Sequence, residues 1–153
     1  MEELIAIWNN YIGARQQLMD NQIIRTFNNP VEDFSEWLVA RCLDGHLAIN
    51  VNQIDYDVET ADRFIQVKSI AKAPHNNNGY IVTQKDRENE LATHYAFVFF
   101  DNYVPSCIYL VNVDFVRDYP RSQIKRENLN EICDEINVIA DISVKEQLDV
   151  NCI

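Results

Sequence analysis

The chain has 153 residues, of which 47% are hydrophobic and 24% are charged, and its formal net charge at pH 7 is -11. This composition is typical of a globular domain with its own core and excludes an intrinsically disordered chain. No run of about 18 apolar residues occurs, and the acidic start Met1-Glu2-Glu3-Leu4 lacks the positive region of a secretory signal. Scattered cysteines without CxxC spacing indicate reduced thiols and a cytoplasmic location.

Two helices are predicted in the first part of the chain. Apolar residues recur at helical spacing over about residues 3–19. A second helix is predicted after Asn29, a good N-cap, with Pro30 at its first position and Asp44-Gly45 at its end. This helix carries Glu36 among many apolar side chains. A carboxylate there is costly to bury unless it is paired or bound to a metal ion.

Three strands are predicted next, over residues 47–54, 56–60 and 63–70. Side chains alternate between the two faces of a strand. In the third strand, Ile65 and Val67 therefore share one face, while Gln66 and Lys68 share the other. The apolar pair is expected to pack on a core while the amide and the ammonium project together into a cleft.

The remainder of the chain alternates between polar and apolar segments. The prediction is a loop over 73–79, a polar helix over 83–92, central strands over 94–100 and 107–113, and a striped helix over 126–140. No internal repeat or long linker is present, so one domain over 1–153 is expected. We divide it into an N-terminal helical extension, a core and a C-terminal helical extension, over 1–28, 30–112 and 113–153.

Asp57 lies in the predicted strand before Gln66 and Lys68, so the three side chains are candidates for one site. Magnesium prefers oxygen ligands, often one or two carboxylates with waters and substrate phosphate oxygens. A neighbouring lysine can orient an attacking water or offset charge on a phosphate. Simpler interpretations remain open. Asp57 can be a strand-end acid, Gln66 a hydrogen-bonding strand residue and Lys68 a surface lysine, and Glu36 can pair with Lys68 or Arg41.

The order of these motifs along the predicted elements resembles the PD-(D/E)xK, or restriction-endonuclease-like, nuclease superfamily, whose core runs αβββαβ. Glu36 matches the acid of the first core helix, and Asp57 matches the acid of the second strand. Gln66 and Lys68 match the (D/E)xK pair, in the QxK variant that is similar to Mrr-like enzymes. The resemblance covers roughly residues 30–112.

The resemblance implies an α/β fold in which helices flank a central mixed sheet, with extra helices at both ends. It implies a metal-dependent endonuclease that hydrolyses phosphodiester bonds, with DNA favoured over RNA, in a microbial defence or mobile-element system. Mg²⁺ or Mn²⁺ would be bound by Asp57, Gln66, Glu36 and the Val67 carbonyl, with Lys68 near the phosphate. A homodimer is expected, because nucleases of this fold often cut two strands as dimers.

Three features depart from that expectation. Gln66 is neutral where most members carry a carboxylate, and Tyr56 stands where a proline commonly precedes the acid. The net charge of -11 is unfavourable for phosphate binding. The alternative is therefore an inactive or weak nuclease fold that binds a basic protein partner, as an inhibitor, immunity factor or assembly subunit. A third possibility is a catalytic subunit whose partner recognises the nucleic acid.

Overall fold

The structure, a computed structural model, describes residues 2–50, 55–72, 80–82, 91–131 and 138–139. Its helices are α1 (Glu2–Asp20), α2 (Pro30–Cys42), α3 (Val113–Asp118) and α4 (Arg126–Glu131). Its strands are β1 (His46–Leu47), β2 (Val58–Glu59), β3 (Phe64–Lys72), β4 (Tyr80–Val82), β5 (His94–Asp101), β6 (Val104–Asn112), β7 (Gln123–Lys125) and β8 (Val138–Ile139). Within these ranges, no helix is both long and apolar enough to cross a bilayer.

The main sheet of the described residues has six strands in the order β1-β2-β3-β5-β6-β8. β1 and β2 are antiparallel, as are β2 and β3, with Val58 opposite Ile65. β3 and β5 are parallel, and β5 and β6 are antiparallel. The sheet is therefore mixed, and its parallel pair requires a crossover connection between β3 and β5. β4 and β7 form a separate two-stranded sheet.

Both faces of the main sheet are covered, which explains why its central strands are apolar throughout. Val39 of α2 packs on one face against a buried group that includes Ile65, Val67 and Val98. The other face buries a cluster with α3, β7 and α4, which contains Phe97. The expected α/β class, with a mixed sheet flanked by helices, is thus confirmed, as are central strands near 94–100 and 107–113.

The start and end of α2 follow the predicted signals. The side chain of Asn29 accepts a hydrogen bond from the Val31 N–H, and Pro30 occupies the first turn. At the other end, the Gly45 N–H donates to the Ala40 carbonyl at 2.8 Å. A side chain at Gly45 would lie 2.8 Å from the Glu59 carbonyl, so only glycine lets the helix end approach β2 this closely. This approach sets α2 beside the strand that follows Asp57.

Several expected elements are shorter than predicted or differ in type. Of the described residues 47–50 of the first predicted strand, only Leu47 lies in a ladder, as part of β1, and Ile49 is fully exposed. The segment 51–54, the loop 73–79 and residues 83–90 of the predicted polar helix lie outside the described residues. The described end of that helix, residues 91–92, is not helical.

The C-terminal part is also not the single helical extension that was predicted. α4 accounts for the start of the predicted 126–140 helix, but Val138 and Ile139 form β8 against Tyr109 and Ile108. These two residues are β-branched and lie opposite the edge of a long apolar strand, so the sheet outweighs the helical periodicity. α3, which Asn112 caps, was not predicted.

α1 confirms the first predicted helix, but its environment is unexpected. None of its residues is buried. The apolar side chains at helical spacing are exposed, including Leu4, Ile5, Tyr11 and Ile12, and Trp8 is 61% exposed. In the described part of the chain, the apolar stripe of α1 is therefore not used by the core of the sheet.

Candidate functional site

A cavity of about 220 Å³ lies where α2 approaches β3. It is lined by Glu32, Glu36, Asp57, Gln66, Val67, Lys68 and Ser69. All four candidate catalytic residues and the residue expected to offer its carbonyl thus line one cavity. The sequence pattern placed these side chains on three separate elements, and the structure brings them together.

Asp57 is anchored on both sides by neighbouring strands. Its backbone N–H donates to the Ile65 carbonyl at 2.9 Å, and its own carbonyl accepts from Ala48 at 2.8 Å. Its Oδ2 accepts hydrogen bonds from the Val67 N–H at 2.7 Å and from Nε2 of Gln66. The Asp57 carboxylate is therefore held against β3, beside the residues of the QxK motif.

Gln66 is buried, with 5% of its surface exposed. Its amide orientation follows from its contact with Asp57, because only the NH₂ group can donate to a carboxylate. Its Oε1 is buried and has no hydrogen-bond partner within the described residues. An unpaired buried acceptor costs about 1–3 kcal/mol, so this oxygen is a candidate ligand for a cation.

Glu36 is held on α2 with its side chain 20% exposed. Its Oε2 forms an ion pair with Nη2 of Arg25 at 2.8 Å, rather than with Lys68 or Arg41 as the simpler interpretation had it. Burial, followed by the charge of Asp57, raises the pKa of Glu36 to about 7, although Arg25 opposes the shift. The two carboxylates therefore repel each other electrostatically, a repulsion that a bound cation would relieve.

Lys68 is half-buried at the cavity wall. Among the ion pairs within the described ranges, none involves its ammonium group. β3 has a neighbouring strand on each side, so Lys68 is not a surface lysine of an edge strand. It provides positive charge in a cavity that also contains the carboxylates of Glu32, Glu36 and Asp57.

Arg25 belongs to the site but was not predicted. Its guanidinium contacts Glu36 and also donates to the Ala48 carbonyl at 2.6 Å. Its backbone N–H donates to Oδ2 of the buried Asp33 at 2.8 Å. No local pattern marks this residue, because it lies in the connection before α2 and meets Glu36 only through the fold.

The cavity residues offer the type of donor atom that a divalent cation prefers, and few of these donors are charged. Within the described ranges, no group of three or more His, Cys, Asp and Glu side chains surrounds a possible metal position. The available donors are the carboxylates of Glu36 and Asp57, the unpaired amide oxygen of Gln66 and the carbonyl of Val67. Oxygen donors of this kind suit magnesium, which usually keeps several waters as further ligands.

The arginines of α3 and α4 lie away from this cavity. Arg126 contacts Asp101 at 3.3 Å and stacks over Phe99, and Arg117 contacts Asp114 at 3.6 Å. They do not contribute to the cavity lining.

No protein-family model matches the chain, and no curated protein matches it. The observations that bear on its function are therefore the sheet topology and the cavity between α2 and β3.

Proposed function

We propose that this chain is a metal-dependent endonuclease of the PD-(D/E)xK type that hydrolyses phosphodiester bonds, with DNA favoured over RNA as the substrate. The observation that carries the proposal is the shared cavity. Asp57, Gln66, Lys68 and Glu36 come from three separate segments of the chain and all line it. A set of unrelated surface residues has no reason to meet in this way.

The order of elements also supports the proposal. α2, β1, β2, β3 and β5 follow one another in the order of the first helix and the strands of an αβββαβ core. The parallel pairing of β3 with β5 requires a crossover connection between the end of β3 and the start of β5. The restriction-endonuclease-like fold is therefore the specific fold that we propose for this α/β sheet.

Mg²⁺ or Mn²⁺ would be held by Asp57, Glu36, the Oε1 of Gln66 and the Val67 carbonyl. When bound, the cation supplies an activated water at neutral pH and polarises the phosphate. The protein's own residues hold the ligands in place. The Val67 N–H and the Gln66 amide orient Asp57, which leaves Oε1 of Gln66 as an additional donor.

Lys68 supplies the preorganised positive charge of the site. Its ammonium lies in a partly buried cavity, where a fixed charge stabilises developing negative charge more strongly than in water. A substrate phosphate at the cavity mouth would meet this group without first breaking an ion pair with a described carboxylate. Lys68 would also orient the attacking water.

The substrate must approach an acidic protein. With 24 Asp and Glu against 13 Lys and Arg, the net charge of the chain repels nucleic acid. Binding would therefore depend on the metal ion and Lys68, or on a basic partner subunit. We include a homodimer in the proposal, with a role in a microbial defence or mobile-element system as the expected setting.

A plasmid-nicking assay with Mg²⁺ or Mn²⁺ tests the proposal. The wild type should convert supercoiled plasmid to nicked or linear DNA, and EDTA should stop the reaction. Lys68→Ala should be strongly impaired, whereas Arg63→Ala should not, because Arg63 pairs with Asp62 away from the cavity. Absence of metal-dependent cleavage of DNA and RNA by the wild type would contradict the proposal.

A second candidate function rests on Gln66 and the net charge. A neutral residue in place of the usual carboxylate weakens a metal site, and a charge of -11 suits a basic protein partner. The chain would then be an inactive nuclease fold that acts as an inhibitor, immunity factor or assembly subunit. Direct measurement of Mn²⁺ binding separates the two, since only the nuclease requires it.

A further inference from the structure

Residues of α2 contact both the backbone and the guanidinium of Arg25. Its backbone N–H donates to Oδ2 of Asp33, and its guanidinium pairs with Glu36 one turn further along the helix. A third contact, at 2.6 Å, joins Nη1 to the Ala48 carbonyl just after β1. The side chain is only 18% exposed, so this is not the mobile type of surface ion pair that contributes little.

The position of Arg25 relative to the cavity is informative. Glu36 lines the cavity, whereas Arg25 does not. The guanidinium therefore contacts the Glu36 carboxylate from outside the cavity, through Oε2. The planar fork of an arginine can satisfy Glu36 and Ala48 at once, which fixes the carboxylate in one orientation.

We infer that Arg25 is a positioning residue of the metal site, acting through Glu36, whose carboxylate it holds toward the cavity. This inference rests on the proposed function, because it assigns Arg25 a role in binding Mg²⁺ or Mn²⁺. Partners that orient a metal ligand typically change metal affinity by about 10–100-fold when they are removed. Arg25→Gln should therefore weaken Mn²⁺ binding by about that factor.

The contact between Arg25 and Glu36 has the opposite effect on metal affinity if Arg25 competes with the metal for Glu36. Removal of Arg25 would then strengthen Mn²⁺ binding instead of weakening it. The cavity lining favours positioning, because Arg25 contacts Oε2 of Glu36 without lining the space that the cation would fill. The sign of the change in affinity therefore decides between the two roles.

The test is a double-mutant cycle with isothermal titration of the full chain by MnCl₂. The proteins are the wild type, Arg25→Gln, Glu36→Gln and the double variant, with Arg63→Gln as the control for loss of an arginine ion pair. If Arg25 acts through Glu36, Arg25→Gln weakens binding about 10–100-fold in the wild-type background and has no effect in the Glu36→Gln background. Arg25→Lys, which keeps the charge, should bind more tightly than Arg25→Gln.

The remaining outcomes overturn the inference in distinguishable ways. An equal loss in both backgrounds would show a general structural role for Arg25, and an unchanged or tighter affinity in Arg25→Gln would exclude positioning. In either case, a wild type that binds Mn²⁺ leaves the proposed nuclease function standing. A wild type that does not bind Mn²⁺ overturns the proposed function and the inference together.

Discussion

The backbone N–H of Val67 donates a hydrogen bond of 2.7 Å to the Oδ2 atom of Asp57. This bond crosses from β3 to the residue that precedes β2 and holds the acid beside the QxK motif. Val67 buries its side chain against α2, so its position is set by the core. The orientation of Asp57, a proposed metal ligand, therefore depends on the packing of Val67 in the hydrophobic core.

Asp57→Asn should abolish metal-dependent cleavage, because it removes one ligand charge and weakens the acceptor for two hydrogen bonds. The fold should be retained with a loss of about 1–2 kcal/mol, the scale for a hydrogen bond to a charged group. Plasmid cleavage and urea denaturation measure the two effects. Cleavage at the wild-type rate would show that the site lies elsewhere.

Lys68→Ala should lower the cleavage rate by about 10²–10³-fold, the usual scale for removal of one preorganised electrostatic stabiliser. Mn²⁺ affinity should not fall, because Lys68 is not a ligand and its positive charge repels the cation. Single-turnover cleavage and metal titration test this separation, with Arg63→Ala as the matched control. An equal loss of rate in both variants would indicate a nonspecific effect of charge.

Gln66→Glu should raise the affinity for Mn²⁺ and lower the stability of the metal-free protein. The amide of Gln66 now donates to Asp57, and a carboxylate in its place would repel that residue. We expect a stability loss of about 1–3 kcal/mol in EDTA, which saturating Mn²⁺ should reverse. Thermal denaturation with and without Mn²⁺ tests both parts. Unchanged stability in EDTA would contradict the described contact.

Glu36 should make the stability of the metal-free protein depend on pH. Burial and the charge of Asp57 raise its pKa from 4.5 to about 7 in the folded state, so the folded state binds the proton more tightly than the unfolded state. Its contribution to the free energy of unfolding therefore falls as pH rises from about 4.5 to about 7. The change is on the order of 1–3 kcal/mol.

The measurement is urea denaturation in EDTA across that pH range, for the wild type and Glu36→Gln. The variant lacks the titrating group, so the difference between the two stabilities should change across the window and level off above it. A difference that stays constant with pH would mean that the pKa of Glu36 is not raised.

The exposed apolar stripe of α1 should mediate self-association with a second copy. An antiparallel pair of these helices would remove the apolar side chains of both stripes from water, which favours association. Sedimentation velocity should show a dimer for the wild type and a monomer for Trp8→Glu. Asn10→Glu adds the same charge on the polar face and should remain dimeric. A wild type that is monomeric at high concentration would contradict this prediction.

Local patterns in the sequence were sufficient for several elements. Asn29 and Pro30 predicted the start of α2, because capping depends on a few neighbouring residues. Alternation predicted that Ile65 and Val67 share a core face, because the period of a strand is a local property. The apolar runs predicted β5 and β6. These signals, together with the motif order, also predicted which acids, amide and lysine form the candidate site.

Other features depended on contacts between distant segments, which local patterns do not record. Val138 and Ile139 lie within the predicted 126–140 helix but pair with β6, because an open strand edge was available. Arg25 became part of the site only because the connection before α2 folds back onto Glu36. The unpaired Oε1 of Gln66 and the raised pKa of Glu36 also result from tertiary burial. The sequence by itself determined the candidate residues, and the tertiary structure decided their partners, their burial and their charge.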